Sequence, residues 1–193
     1  PLLARVEKPA RYIGMERGSV RPHHEARRVA FLLIYPDTYE IGLPNQGLQI
    51  LYEILNERPD ALAERAYAPW TDMESSLRRA GLPLFSVDSH RAAGDFDVLA
   101  FNLSAELVYT NLLNLVDLAG VPVRNEHRSP TDPVVIAGGH CAYNPEPLAE
   151  YVDAFVIGDG EEVVGEIADV VGAWKRGGRA SREAVLRDLA TIP

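Results

Sequence analysis

The stretch VVIAGGHCAYNPEPLAEYVDAFVIGDGEE, residues 134–162, decides the fold. It contains two short apolar runs, each closed by glycine: Val134–Ala137 before Gly138 and Gly139, and Ala154–Ile157 before Gly158 and Gly160. Runs that stay apolar without alternating suit strands covered on both faces, as in a parallel sheet. Glycine at the carboxyl end of such a strand lets the chain turn tightly and lets a bulky ligand come close to the backbone. Glu161 and Glu162 then open a helix, where carboxylates meet the positive end of the helix dipole. The same glycines also serve a plain strand-to-helix turn, and spacing alone does not separate the two uses.

Further strands are expected at Val29–Tyr35, at Val98–Leu103 and, from a weaker signal, at Glu64–Ala68. Between them the period changes. Leu48, Leu51, Tyr52 and Leu55 recur at i, i+3, i+4 and i+7, which gives a helix with one buried face. Thr71-Asp-Met-Glu74 matches a capping box ahead of Met73, Leu77 and Ala80, and Gly81 ends that helix. Leu112, Leu115, Val116 and Ala119 share another helical face, with Gly120 suited to the position after the helix. A long amphipathic helix follows from Val163 to Trp174 and is stopped by Gly177 and Gly178; Ser181 caps a last one. Leu82–Val87 reads as an additional extended piece, and Arg124–Pro133 as a polar loop. Five strands alternating with helices predict an α/β, doubly wound, flavodoxin-like or Rossmann-like, mostly parallel five-stranded sheet in the order 2-1-3-4-5. Ligands in such sheets bind beyond the carboxyl ends of the strands, where the loops Asp37–Asn45, Ser104–Asn111 and Gly138–Asn144 would converge with Gly158–Glu162 at their edge.

Composition limits the choices. The 193 residues, 47% hydrophobic and 24% charged, suit a single globular domain with appendages. No apolar run reaches the length of a membrane span and no leader pattern stands at the start, so the expectation is a cytoplasmic protein with no membrane partner. A single cysteine, Cys141, excludes an internal disulfide and a thiolate metal site. The net charge of −9 argues against a general nucleic-acid binder. Residues 1–28 run against that balance, with seven lysines and arginines, and read as an extended basic arm that docks on its own domain, on a neighbouring domain or on RNA. The rest divides into an α/β domain over 29–176 and a linker helix over 177–193. His140 and Cys141 share a turn with the paired glycines, and the plain reading of them is a loop histidine and a small buried thiol.

The loops exclude the common nucleotide sites. Asp37–Gly42 contains no G-x-G-x-x-G, and Gly158-Asp-Gly160 is followed by Gly165 rather than by a glycine at 163. Neither a Walker loop, G-x-S-x-G nor H-E-x-x-H occurs. Asp37 with Glu40 forms no evident acid–base pair, since that role also needs a reacting partner. What the first loop resembles is a degenerate form of the cobalamin-binding signature D-x-H-x-x-G, with Asp37 and Gly42 at its ends and Tyr39 in place of the histidine. The serine motif of that family falls near Ser104 and its paired glycine at Gly138 and Gly139.

Longer strings carry a closer likeness: KPARYIG at 8–14, YPDTYEIG at 35–42, YTNLLNLVDLAG at 109–120, AGGHCAYNPEP at 137–147 and IGDGEE at 157–162. Together they resemble the N-terminal, cobalamin-binding-like domain of a family of radical S-adenosylmethionine proteins, and SREAVLRDLATIP at 181–193 is similar to the linker into their radical barrel. The resemblance implies an iron–sulfur cluster held on C-x3-C-x2-C and an S-adenosylmethionine site, both downstream of Pro193, with the barrel of the same polypeptide as partner. It implies close backbone approach to a corrin at Gly138, Gly139, Gly158 and Gly160 beside Glu161, a hydrogen bond from Ser104 to the buried nucleotide tail, and lower-face contacts from Asp37, Tyr39 and Gly42. With no histidine at 39, cobalamin would be held without a protein nitrogen. A cofactor-free docking module that positions the barrel or a macromolecular substrate stands as the alternative.

Overall fold

The computed structural model describes residues 2–20, 23–25 and 28–193; Arg21 and Arg27 of the basic arm lie outside the described residues. Five parallel strands form one sheet in the order β2-β1-β3-β4-β5: β1 Val29–Tyr35, β2 Ala61–Tyr67, β3 Val98–Asn102, β4 Val134–Gly138 and β5 Ala154–Phe155. This is the doubly wound fold read from the sequence. Helices α3 (Thr71–Ala80) and α4 (Tyr109–Leu118) cover one face, and α2 (Gln46–Glu57), α5 (Gly160–Arg176) and α6 (Arg182–Leu189) cover the other. A single turn, α1 (Tyr39–Gly42), follows β1.

Four local expectations change. β2 begins at Ala61, earlier than the weak signal at 64–68, because it carries Glu64 and Arg65, both buried, in the middle of its apolar run. The capping box at Thr71 does not form: Trp70 occupies the cap position, no side chain caps the helix, and Thr71 is already helical. Asp72 instead accepts the Glu7 amide of the arm at 2.7 Å, and Glu74 pairs with Arg78 at 2.9 Å. β5 is only two residues long, since Val156 makes one more backbone bond to Ala137 and the chain then leaves the sheet edge. The expected extended piece at 82–87 contributes a lone antiparallel bridge, Phe85 to Ala92. It lies beside β2, where the Val87 amide bonds the Arg65 carbonyl and Asp88 receives both the amide and the guanidinium of Arg65, so the edge strand is covered.

The arm is not extended throughout. It makes two short 3-10 turns, Leu3–Arg5 and Pro9–Tyr12, and it buries Val6 and Tyr12 in the core. Its charges face those of β2 and its covering loop. Glu16 accepts from Tyr39 Oη at 2.7 Å, Ser19 Oγ at 2.8 Å and Arg65 Nη2 at 3.0 Å, while His24 Nε2 meets the buried Glu64 carboxylate at 2.5 Å. Burial opposes charge on Glu16, but the bond from Tyr39, those within the arm and the nearby Arg65 prevail, and its pKa lies below the ordinary 4.5. A carboxylate with a depressed folded pKa contributes stability above its unfolded value and loses it as the pH falls through the folded value. Urea midpoints are therefore expected to fall on acidification below about pH 4.5, with a smaller change in Glu16→Gln, which at neutral pH costs about 1 kcal/mol. Identical acid slopes for the two proteins would remove Glu16 from the arm's anchoring.

Candidate functional site

A cleft of 350 Å³ opens at the carboxyl ends of β1, β3 and β4 and runs down between α2 and α5. Part of it lies in the sheet. Leu33, Ala100 and Ile136 sit side by side in register on β1, β3 and β4, and the alanine leaves a notch between two larger side chains. The helices supply the rest, because each enters the site on glycine: Gly47 in the first turn of α2 and Gly160 at the start of α5. A Cβ added to Gly160 would come within 3.3 Å of Leu51 across the cleft.

The rim is polar and the floor is not. Asn45 caps α2 by accepting from the Leu48 amide at 2.9 Å, and Asn102 Nδ2 reaches the same oxygen at 3.5 Å. Ser104 Oγ donates to Asn102 Oδ1. Below this chain of three the lining is Leu33, Leu48, Ala100, Ile136, Val164 and Ile167. Asp159 and Glu161 stand at the mouth on the α5 side, and His140 on the β4 side.

Of the residues singled out from sequence, Ser104, Gly138, Gly139, Gly158, Gly160 and Glu161 line this one cleft. Asp37, Tyr39 and Gly42 do not. The loop after β1 turns away towards β2 and the arm: Asp37 takes its own neighbour's amide on its carboxylate and the Ala68 amide on its carbonyl. Tyr39 stacks edge-on against Tyr67 and donates to Glu16. Burial and the Glu16 carboxylate push its pKa up to about 12, so it is a neutral phenol at ordinary pH. Gly42 has a packing reason to be glycine, since a Cβ there would lie 2.5 Å from the Tyr67 ring.

The remaining glycines differ in kind. Gly139 has φ +100 and its missing side chain faces the Leu103 backbone at 3.0 Å, so a larger residue there would break the turn. Gly158, at φ +119, has open space around it. Cys141 is half-buried, with its amide bonded to the Leu103 carbonyl and its own carbonyl accepting from Tyr109 Oη. Sequence reasoning missed Asn45, Asn102 and Ala100. A break from apolar to asparagine at the end of the β3 run was the available signal for Asn102; Ala100 looked like any strand alanine.

No set of three or more His, Cys, Asp or Glu side chains capable of holding a metal occurs among the described residues, and none of their helices is long and apolar enough to cross a membrane. Neither a curated protein nor a solved structure matches the chain. The family model described as "Radical SAM proteins, N-terminal" matches residues 47–193, about three quarters of the sequence, from the first turn of α2 through α6. Every element that builds the cleft except β1 and Asn45 lies within that match. The chain belongs to the radical SAM N-terminal family.

Proposed function

We propose that this chain serves a radical SAM enzyme as its N-terminal cofactor module, with the cleft between α2 and α5 receiving the nucleotide tail of cobalamin. The observation that carries the reading is the cleft: 350 Å³, apolar below and polar at the rim, at the strand ends of a doubly wound sheet. Its residues suit the group. Ala100 and Gly160 leave room for a flat bicyclic base, Ser104 and Asn102 stand where a ribose or phosphate would pass, and Gly138 and Gly158 keep the rim low for a corrin. Cobalamin would supply an upper face for methyl or radical transfer. This chain's part is to hold the tail, exclude water from it and leave the rim free. The iron–sulfur cluster and S-adenosylmethionine belong, by family, to the radical SAM domain of the full protein.

The neutral phenol of Tyr39, turned towards Glu16, offers cobalt no ligand. Cob(II)alamin added to the purified chain is therefore expected to show electron paramagnetic resonance without nitrogen superhyperfine splitting, because its own base is in the cleft and no imidazole replaces it. Tyr39→His should leave that spectrum unchanged. Splitting in the wild-type complex would mean that the base stays on cobalt or that His140 coordinates, and absence of binding at high cofactor concentration would end the cobalamin reading.

A second reading, a docking module for the radical barrel, has its own support. Each of the five loops that follow the strands carries an exposed large apolar side chain: Ile41, Trp70, Leu107, Tyr143 and Ile157, with Leu107 90% exposed. Exposed apolar groups gathered at one end of a domain mark a surface that is covered in the working protein. Hydrogen exchange on the full polypeptide tests it: protection of these loops relative to the isolated chain supports docking, and equal exchange removes it.

A further inference from the structure

The chemistry of the cleft wall changes with depth, and that change selects among ligands. Hydrogen-bonding side chains are confined to the rim, where Asn45, Asn102 and Ser104 already bond one another or a backbone amide and His140, Asp159 and Glu161 stand at the mouth. One α-helical turn further along α5 the wall is Val164, then Ile167, and one pleat back along β3 it is Ala100 beside Ile136. Sheet amides and carbonyls at this level are engaged in strand pairing, and helix amides and carbonyls within α2 and α5 are engaged in their own ladders. Among the described residues, none of the buried side-chain nitrogens or oxygens left without a partner belongs to the lining of this cleft. The floor therefore offers packing and nothing else.

A group carried into such a floor keeps its apolar contacts but loses water from every polar atom it brings. We infer that the cleft discriminates between corrinoids by their lower base, taking a benzimidazole and rejecting a purine, with Ala100 and Ile136 as the residues that set the choice. This inference rests on the reading that the nucleotide tail enters the cleft. A dimethylbenzimidazole brings two methyl groups that suit an apolar floor and leaves a single ring nitrogen to satisfy. Adenine in the same place brings several ring nitrogens and an exocyclic amine, none of which finds a partner on the floor. An apolar pocket discriminates against an added polar group by roughly tenfold to a hundredfold, and that is the scale expected here.

The test is to titrate the chain with three probes under one set of conditions: cobalamin, the cobamide carrying adenine as lower base, and cobinamide, which has no nucleotide tail. Cobalamin is expected to bind roughly ten to a hundred times more tightly than the adenine cobamide. Ala100→Ser, which places one hydroxyl on the floor with little added bulk, should narrow the gap by strengthening the adenine cobamide. Equal affinity for the two cobamides, both well above cobinamide, would overturn the discrimination and leave the tail in the cleft. Equal affinity for all three would show that the tail is elsewhere, and so would end both the discrimination and the reading beneath it. Failure of every corrinoid to bind would do the same. An unchanged gap in Ala100→Ser alongside wild-type discrimination would take Ala100 out of the selecting residues.

Discussion

Replacing Ala100 with phenylalanine should weaken cobalamin binding by roughly tenfold to a hundredfold while the chain stays folded. The size of the effect follows from what the notch does. Burying a large apolar side chain or an aromatic base of similar size is worth about 1.5–3 kcal/mol, and each 1.4 kcal/mol is a factor of ten in affinity. In the central strand, Ala100 is only half-buried although its register partners Leu33 and Ile136 are buried, because the space above it is the cleft. A phenyl ring at 100 would fill the volume that the base needs. It would also find room, since the cleft is larger than the ring, so the usual overpacking cost of 1–3 kcal/mol should be reached only in part. Titration by visible absorbance gives the affinity and urea unfolding gives the stability. Wild-type affinity in a folded Ala100→Phe would show that corrinoid binding, where observed, takes place outside the cleft.

This variant also shows where sequence reasoning stops. The runs at 29–35, 98–103 and 134–137 were legible as strands because they are apolar without alternating, and the parallel order followed from helices placed between them. Glu64 and Arg65 blurred β2, since buried charged side chains read from sequence as a solvated face, whereas Arg65 pairs with Asp88 and Glu64 meets His24. The glycines that follow β4 and β5 were legible as the rim of a site, and they do line the cleft. Its floor was not legible, because the notch at Ala100 exists only once β1, β3 and β4 are in register. Asp37, Tyr39 and Gly42 match a signature by spacing, yet spacing does not say to which side the loop turns. The choice was made by Tyr67 and by Glu16, the first packed against Gly42 and Tyr39 and the second bonded to Tyr39, both remote in sequence.

The second large effect lies at the opposite end of the sheet, where Asp153 is expected to cost about 3–5 kcal/mol when replaced by alanine. Its side chain is fully buried just before β5 and lies between two arginines. Arg128 Nη1 is 3.0 Å away and Arg182 Nη2 2.6 Å away, and the carboxylate also accepts the Val135 amide at 2.7 Å. Both guanidinium groups fasten backbone: Arg128 donates to the carbonyls of Pro122, Val123 and Tyr151, and Arg182 to those of Ser129, Asp132 and Pro133. Burial already pulls the Arg128 pKa down against the pull of Asp153, the carboxylate that both guanidinium groups contact. Removing it leaves two largely buried guanidinium groups without the carboxylate that both contact, which is the costly way to break a buried ion pair. The loss should propagate to α6, because Arg182 is its first residue and joins it to the loop ahead of β4. Asp153→Ala is therefore expected to lower the urea midpoint sharply and to expose the 177–193 segment to hydrogen exchange before global unfolding. Combining it with Arg128→Met should recover part of the loss, since one apolar side chain then replaces one stranded charge. A single variant within 1 kcal/mol of wild type would mean that water reaches the two arginines, and the triad would no longer explain how α6 is held.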